Sequence, residues 1–474
     1  MSNTRTFLPV RASRRGTELF LLIFACLLST GAVAAIVLAR DGHITGAVGY
    51  YGAGFFALYL VAHLAIRKLA PAADPLLLPI MALINGIGLA MIYRIDLALA
   101  DRAARLGKSA PSQYAPMQLI WTLVGVVILI GVLFFVRDHR VLARYTYTAG
   151  FLGLGLLALL GVPGIGQTVN GSRIQLRLGP IPFQPGEFSK LLLIVFFAGY
   201  LVRKREVLSV VTHSYLGIPF PRARDLGPVV AAWLASLMVL VIVKDLGTSL
   251  LFFSIFLVML YIATERASWL IIGMTMFVAG AYLAYQSFAH VQERVNIWLH
   301  PFQAGRPQGA SYQLVQGLFG FATGGLFGTG WGRGRPEIVP FANTDFILSS
   351  LGEEIGAVGV MALLVLYGLL IARGLRVALI ARDGFGKLLA AGLATAFAIQ
   401  LFVVAGGVLR VIPLTGLVMP FLAYGGSSMM ANAALLGLLL RISDAGRRPP
   451  PPSGNAPLYD PRAISDSPTQ AVQL

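Results

Sequence analysis

Apolar segments long enough to cross a lipid bilayer recur along most of this 474-residue chain and limit what it can fold into. A membrane-spanning helix needs about 20 predominantly apolar residues. Lipid offers no hydrogen bonds to an open backbone, so such segments fold as helices that bond within themselves. The segments of this length cover residues 17–39, 46–66, 76–95, 117–136, 145–163, 187–202, 226–243, 246–264, 268–289, 346–372, 388–411 and 416–440. The sequence therefore predicts an all-α polytopic membrane protein with about twelve transmembrane helices.

The charge pattern agrees with a membrane protein. Only 12% of the residues are charged and 57% are hydrophobic, which is too little polar surface for a soluble protein. The formal net charge of +17 lies mostly in short loops, which is typical of topogenic charge beside anionic lipid and does not indicate nucleic acid. Basic clusters at residues 137–140 and 203–206 predict inside loops, which makes both termini cytoplasmic. The single cysteine, Cys26, excludes an internal disulfide and a cysteine-based metal cluster.

The two ends of the chain allow different interpretations. Residues 11–35 combine a basic start, an apolar stretch and an Ala-Val-Ala ending, as a signal peptide does. The apolar run continues to Leu38, which is long enough to span a bilayer, so an uncleaved anchor is favoured. The other end turns proline-rich and polar, so residues 443–474 are predicted to form a disordered cytoplasmic tail.

Three outside connections carry most of the polar residues at the outer surface. The longest, residues 290–345, contains "GLFGFATGGLFGTGWGRGRPEIVPF". Its glycines, aromatics and few charges predict a folded loop that lies on the membrane or dips into it. The other two are the loop at 164–186 and the short turn at 243–250.

Acidic residues stand where helices begin at this surface. Glu187 and Lys190 are three residues apart, on one helix face, and can pair, although Glu187 could also simply stabilise the helix N-terminus. Asp245 precedes an apolar run, where N-capping is the simpler role. Asp345 follows an asparagine and a threonine, so three cap-forming residues stand in a row, which is more than one helix cap needs.

Glu353 and Glu354 follow on the same predicted helix. Glu353 lies about 12 Å beyond Asp345 at the rise of an α-helix. Carboxylates at membrane depth must face a protein interior or a watered cavity. We interpret these two glutamates as structural or cavity-shaping residues.

Basic residues also gather in the outside connections, against the usual trend for membrane proteins. They are Arg173, Arg177, Arg294, Arg333, Arg335 and Arg410. A scattered loop arginine is usually only solvated, but guanidinium groups suit phosphate binding. Together with the outer acids they indicate a site for an anionic, phosphorylated, lipid-linked substrate. The sequence contains no P-loop, dinucleotide fingerprint or HExxH motif, and its six histidines lack metal-ligand spacing.

Five motifs resemble one known family. They are "LGPIPFQPGEFSKL", "VKDLGTSLL", "GLFGTGWGRG", "NTDFILSSLGEEIGAVG" and "PLTGLVMPFLAYGGSSM", which span about residues 175 to 430. In order and spacing they resemble the motif set of the SEDS proteins, the family of RodA, FtsW and SpoVE. The resemblance implies a ten-helix core at residues 76–442, preceded at residues 1–75 by two extra helices. Such helices resemble actinobacterial members and favour an elongation-type RodA over a division-type FtsW.

The resemblance also implies roles for individual residues. The essential aspartate of the family's Thr-Asp-Phe motif falls on Asp345, which makes it the implied catalytic residue. Glu187, Lys190 and Asp245 fall on other motif positions and are expected to support the active site. The arginines that we expect to contact the substrate are Arg173, Arg294 and Arg333.

Three positions depart from the family pattern. Gly186 replaces a serine, and Lys244 replaces the proline of the Pro-Asp-Leu-Gly-Thr motif. Ile174 replaces the tryptophan that usually follows the arginine at position 173.

The activity implied by the resemblance is peptidoglycan glycosyltransfer at the outer face of the bacterial plasma membrane. Such an enzyme polymerises lipid II with inversion and releases undecaprenyl diphosphate. Asp345 would act as the general base, while arginines, Lys190 or a divalent cation (Mg²⁺ or Mn²⁺) neutralise the leaving diphosphate. The implied partner is a class B penicillin-binding protein.

Two other functions are compatible with a chain of this kind. A lipid flippase would also combine many spans with intramembrane acids, and a non-catalytic scaffold for wall synthesis is the third reading. The charged candidates cluster at the outer surface and no internal repeat is evident, which favours the enzyme.

Overall fold

The computed structural model describes residues 15–162, 165–169, 172–178, 181–209, 213–215, 218–220, 227–303, 305 and 307–448. Its α-helices, in chain order, are α1 (Arg15–Asp41), α2 (Gly46–Leu69), α3 (Leu77–Arg105), α4 (Tyr114–Phe135), α5 (Thr146–Leu159), α6 (Pro185–Ser209), α7 (Gly227–Val243), α8 (Leu246–Thr264), α9 (Ala267–Ser287), α10 (Ala289–Leu299), α11 (Tyr312–Gly324), α12 (Ile347–Ile380), α13 (Gly384–Val408) and α14 (Gly426–Arg447). The first residues of the predicted tail, 443–447, belong to α14, and residues 449–474 lie outside the described part of the chain.

Ten of the described helices are long and apolar enough to cross a membrane. They are α1, α2, α3, α4, α6, α8, α9, α12, α13 and the unit His139–Leu159, which joins a 3-10 turn to α5. The other two predicted spans also form helices, but α7 has only 17 residues and α14 begins at Gly426 instead of residue 416. The all-α polytopic architecture is confirmed, while the count of twelve spans stays a prediction.

Short strands occupy two of the connections. A three-stranded antiparallel sheet, in the order β1-β2-β3, is formed by β1 (Gly166–Val169), β2 (Ser172–Leu178) and β3 (Ile181–Phe183). A second antiparallel pair joins β4 (His213–Tyr215) to β5 (Ile218–Phe220). The first sheet leads directly into α6, so it fixes where that helix begins.

The helices share one apolar core. α13 packs against α12, α8 and α6, and α14 packs against α4, α12 and α6. α3 and α13 are the most buried of the candidate spans, while α9 presents most of its surface outward. Interior helices of this kind hold the loops at their ends in fixed positions.

A buried ionic cluster joins α1 and α2 to the loop that precedes α3. Arg15 pairs with Glu18 and donates to the carbonyl oxygens of Ala70 and Ala73. Glu18 also lies 2.8 Å from Nδ1 of His63 on α2. Since buried charges are tolerated only when paired, this cluster fixes these two helices to the loop that precedes α3.

A break at Gly356 divides α12. Gly356 has φ 68° and ψ −177°, which frees the backbone groups on either side from helical bonding. The part of α12 after the break is about 36 Å long at 1.5 Å per residue, enough to span a bilayer alone. Near its other end, Arg373 lies 3.7 Å from Asp74. The residues before Gly356 are therefore not needed for α12 to cross a bilayer.

Candidate active site

One large cavity opens where the three predicted outer connections meet. Its volume is about 1220 Å³, and it contains the side chains of both Asp245 and Asp345. Cavities of this size suit a large ligand and are usually lined by apolar surface with a few convergent polar groups. This one combines apolar residues of α4 and α13 with charged residues of α10 and of the two loops that carry the aspartates.

Four sequence motifs that lie far apart in the chain converge on the cavity. The amide of Gln184 donates to Oγ of Ser427 at 2.9 Å, and the amide of Tyr424 donates to the carbonyl of Asn343 at 2.8 Å. Gly247 approaches the backbone of Thr415 so closely that an added Cβ would meet it. Each of these four motifs therefore supplies part of the same site.

Asp345 sits in a turn just before α12. The turn runs from Phe341, whose φ is 56°, and the amides of Thr344 and Phe346 both donate to the Phe341 carbonyl, at 3.0 and 3.2 Å. Phe346 is the N-cap residue and makes no side-chain cap bond. The capping alternative for Asp345 is therefore not supported, and its carboxylate lines the cavity instead.

The surroundings of Asp345 favour its protonated form. Burial raises the pKa of this carboxyl group to about 6; Arg294 opposes the shift and the negative charge of Asp245 adds to it. A carboxyl group with a pKa near neutrality suits general acid or base catalysis.

Asp245 caps α8, as its position predicts. Its Oδ1 accepts the amide of Thr248 at 3.0 Å, and its Oδ2 accepts the hydroxyl of the same residue. Burial raises the pKa of Asp245, while the bonds from Thr248 and the charge of Arg294 lower it. Asp245 is therefore both a helix cap and a carboxylate of the cavity wall.

Arg294 is the arginine that the structure brings to the aspartates. It lies on α10, lines the cavity and donates to the carbonyl oxygen of Leu414 at 2.7 Å. Its charge acts on both Asp245 and Asp345. Of the three predicted substrate arginines, Arg294 is the one whose side chain is shown in the cavity.

The other two predicted arginines are not shown there. Arg333 is exposed in the loop between α11 and α12 and is not among the residues that line the cavity. The glycine-rich loop between α11 and α12 folds onto α12, and the contact of Arg333 with a substrate stays a prediction. Arg173 belongs to β2, but its side chain lies outside the described part of the structure.

Glu187 and Lys190 form the predicted pair, but beneath the cavity floor. Nζ of Lys190 donates to Oε2 of Glu187 at 2.8 Å, to Oε1 of Gln400 at 2.8 Å and to Oδ1 of Asn432 at 3.1 Å. Lys190 is 1% exposed and Glu187 5% exposed. Neither lines the cavity, so their contact with a substrate is indirect.

The network around Lys190 supports the cavity from below. Asn432 donates to the carbonyl and hydroxyl oxygens of Ser428, and Gln400 donates to the carbonyl of Val418. Both Ser428 and Val418 line the cavity. A buried lysine with three oxygen partners thus ties α6, α13 and α14 to the floor of the site.

Glu353 and Glu354 anchor the glycine-rich loop instead of facing the cavity. Oε1 of Glu353 accepts the amide of Arg335 at 2.9 Å, and Oε2 of Glu354 accepts the amide of Gly332 at 3.0 Å. Oε1 of Glu354 also accepts Nε of Arg94 at 2.9 Å. Our interpretation of both glutamates as structural residues agrees with these contacts.

The backbone freed by Gly356 completes this anchor. The amides of Thr329 and Gly330 donate to the carbonyls of Glu353 and Glu354, both at 2.9 Å. Non-helical backbone at membrane depth is tolerated only when protein groups satisfy it in this way.

Sequence reasoning missed two ionisable residues of α10 that lie in the cavity wall. His290 and Glu293 on α10 line it with Arg294. The helical spacing of these three residues was a usable signal, because positions three and four apart share a helix face. Arg94 was also missed, since a single arginine inside an apolar run gives no indication of its partner.

Comparisons with known proteins identify the family. The family model described as "Cell cycle protein" and named for FtsW, RodA and SpoVE matches residues 75–448. The peptidoglycan glycosyltransferase RodA of Mycobacterium tuberculosis strain H37Rv is 49% identical over 442 residues, 93% of this chain and 93% of the relative. The corresponding protein of Mycobacterium leprae strain TN is 48% identical over 94% of this chain and 93% of the relative.

A more distant relative and a solved structure agree. Stage V sporulation protein E of Bacillus subtilis strain 168 is 31% identical over 80% of this chain and 99% of the relative. A chain solved in work on the structural coordination of polymerization and crosslinking by a peptidoglycan synthase complex has a TM-score of 0.58. That chain is 28% identical, and the match covers 76% of this chain and 98% of the solved one. This protein belongs to the FtsW/RodA/SpoVE family of cell cycle proteins.

Proposed function

We propose that this protein is a RodA-type peptidoglycan glycosyltransferase that polymerises lipid II into β-1,4 glycan strands for cell elongation. One observation carries the proposal: Asp345, with a pKa raised to about 6, lines a cavity of about 1220 Å³ together with a second aspartate and an arginine. Similarity to mycobacterial RodA proteins along 93% of the chain favours RodA over FtsW.

The reaction assigns a clear task to Asp345. The 4-hydroxyl oxygen of the acceptor sugar attacks the anomeric carbon of the donor, and the bond from that carbon to the diphosphate oxygen breaks. The hydroxyl proton passes to the Asp345 carboxylate, and undecaprenyl diphosphate leaves with the bonding electron pair. General base catalysis of this kind contributes about 100- to 10,000-fold.

The leaving diphosphate gains negative charge as the bond breaks. Arg294 lines the same cavity and can stabilise that charge. Lys190 acts indirectly, by holding the cavity floor in place.

A divalent cation fits the donor set of the cavity. Mg²⁺ is commonly held by one or two carboxylates together with substrate phosphates. Asp245 and Asp345 would supply the carboxylates, and the ion would add positive charge near the diphosphate. Within the part of the chain that the structure describes, no larger group of metal-ligating side chains occurs.

The partner is inferred from a solved relative, and the topology is inferred from the charge of the loops. The solved relative comes from a complex that coordinates polymerization with crosslinking, which supports a class B penicillin-binding protein as the transpeptidase partner. The cavity then opens to the outer face, and both termini are cytoplasmic, in agreement with the basic inside loops.

The test is polymerisation of labelled lipid II by purified protein with its partner transpeptidase. Glycan polymer is expected from the wild type and none from Asp345→Asn. This substitution keeps the size of the side chain and the fold of the protein but removes the base. Transbilayer movement without polymer would indicate a flippase, and neither activity would indicate a scaffold. Full polymerase activity in Asp345→Asn would refute the assignment of the base.

A further inference from the structure

Lys244 carries a positive charge at the wall of the cavity. It lies in the turn between α7 and α8, is exposed and lines the cavity. Its φ of +58° is in the left-handed region, which is common for a residue that directly follows a helix. The ends of two helices therefore fix the position of Lys244 at the cavity wall.

Lys244 shares that wall with two other nitrogen-bearing side chains. His290 and Arg294 reach the cavity from α10, while Lys244 reaches it from the turn between α7 and α8. Burial lowers the pKa of His290, and the charges of both Arg294 and Lys244 lower it further. Both cations therefore add to the positive potential at the same imidazole.

Binding of a diphosphate in this cavity requires a second cationic side chain, because the acids of the cavity already interact with Arg294. Arg294 is shared between Asp245 and Asp345, which both feel its charge. Glu293 adds a further carboxylate to the lining. A diphosphate brings more than one negative charge. The two positive charges of a divalent cation would be offset by the carboxylates of Asp245 and Asp345 that hold it, which leaves Arg294 alone against the diphosphate.

We propose that Lys244, together with Arg294 and His290, forms the subsite for the diphosphate of the lipid-linked sugar donor. The ammonium and guanidinium groups bind the phosphate oxygens, and the imidazole N–H donates to one of them. Lys244 is then a substrate-binding residue of this chain. The proposal rests on the proposed function and names the residues that bind its leaving group.

Binding of geranylgeranyl diphosphate to the full-length protein in detergent tests the proposal by isothermal titration calorimetry. Lys244→Asn and Lys244→Gly both remove the charge and both tolerate the left-handed backbone. Each is expected to weaken binding by about 10- to 100-fold, the usual effect of losing one charge-assisted hydrogen bond. Lys244→Arg keeps the charge and is expected to retain most of the affinity.

Two controls separate the diphosphate from other effects. Lys108→Asn removes an exposed lysine that does not line the cavity and is expected to leave the affinity unchanged. Geranylgeraniol, which has the same chain without the diphosphate, should bind the Lys244 variants and the wild type equally. Unchanged diphosphate binding in folded Lys244→Asn or Lys244→Gly would overturn the proposal, as would an equal loss of geranylgeraniol binding.

The outcome is independent of polymerisation, because the titration contains no sugar. If diphosphate binding depends on Lys244 but the protein makes no glycan from lipid II, the proposed function fails while the anion subsite stands. If the protein makes glycan but the Lys244 variants bind the diphosphate normally, only the subsite is refuted.

Discussion

Lowering the pH is expected to switch off glycan polymerisation well above the usual range of an aspartate. The pKa of Asp345 is raised to about 6, so its base form dominates at pH 7 and is scarce at pH 5. The ionised fraction falls from about 0.9 to about 0.1 between these two values, which predicts about a tenfold loss of kcat/KM. An aspartate with an ordinary pKa would lose little over the same interval.

The loss of activity at low pH forms the acid limb of the pH–rate profile, and two neighbours of Asp345 should move this limb in opposite directions. The negative charge of Asp245 contributes to the raised pKa, so Asp245→Asn should shift the limb to lower pH. The positive charge of Arg294 opposes the shift, so Arg294→Gln should move the limb to higher pH. Opposite shifts are a signature of electrostatic coupling, because general damage to the site would lower the rate at every pH.

The assay is the initial rate of polymerisation of labelled lipid II at subsaturating substrate between pH 5 and 8. A constant ionic strength is needed, since salt screens the coupling between the charges. A wild-type rate that stays flat from pH 7 to pH 5 would refute Asp345 as the base of this reaction. Shifts of both variants in the same direction would refute the role given to its neighbours.

Three further substitutions test the parts that support the site. Lys190→Met leaves the buried carboxylate of Glu187 unpaired and should lower the free energy of unfolding by about 3–5 kcal/mol. Adding Glu187→Gln should restore most of the thermal stability in detergent, and a double variant as unstable as the sum of both changes would contradict this. Gly356→Ala forces a Cβ against the glycine-rich loop at φ 68° and should speed tryptic cleavage of that loop, and an unchanged cleavage rate would contradict the anchor. Arg94→Leu should lower the amount of folded protein in membranes, and Glu354→Gln should rescue it, because the pair is buried; no rescue would argue against the ion pair.

The helical architecture could be predicted from the sequence because apolar length alone determines it. The bounds of α14 could not, since residues 416–425 are as apolar as a helix but carry a positive φ at Gly416 and line the cavity. A hydropathy pattern does not distinguish a buried helix from a buried loop whose backbone is bonded to other segments.

The candidate site was predictable only in part, for a physical reason. Asp345 and Asp245 stood out as acids at the outer ends of apolar runs, and the Glu187–Lys190 pair followed from helical spacing. Which arginine approaches the aspartates depends on the path of the long outer loop, so Arg294 could not be told from Arg333. Lys244 looked like a simple departure from a motif, because φ is not visible in a sequence.

The Arg94–Glu354 pair has a consequence for how the chain enters the membrane. During synthesis α3 emerges long before α12, and an arginine within an apolar helix is costly in lipid until it finds a carboxylate. We expect α3 to be retained beside the insertion machinery until α12 arrives and supplies Glu354. On this expectation, integration of α3 into the lipid is delayed until α12 has been synthesised. Truncation of the chain before α12 should then leave α3 poorly integrated.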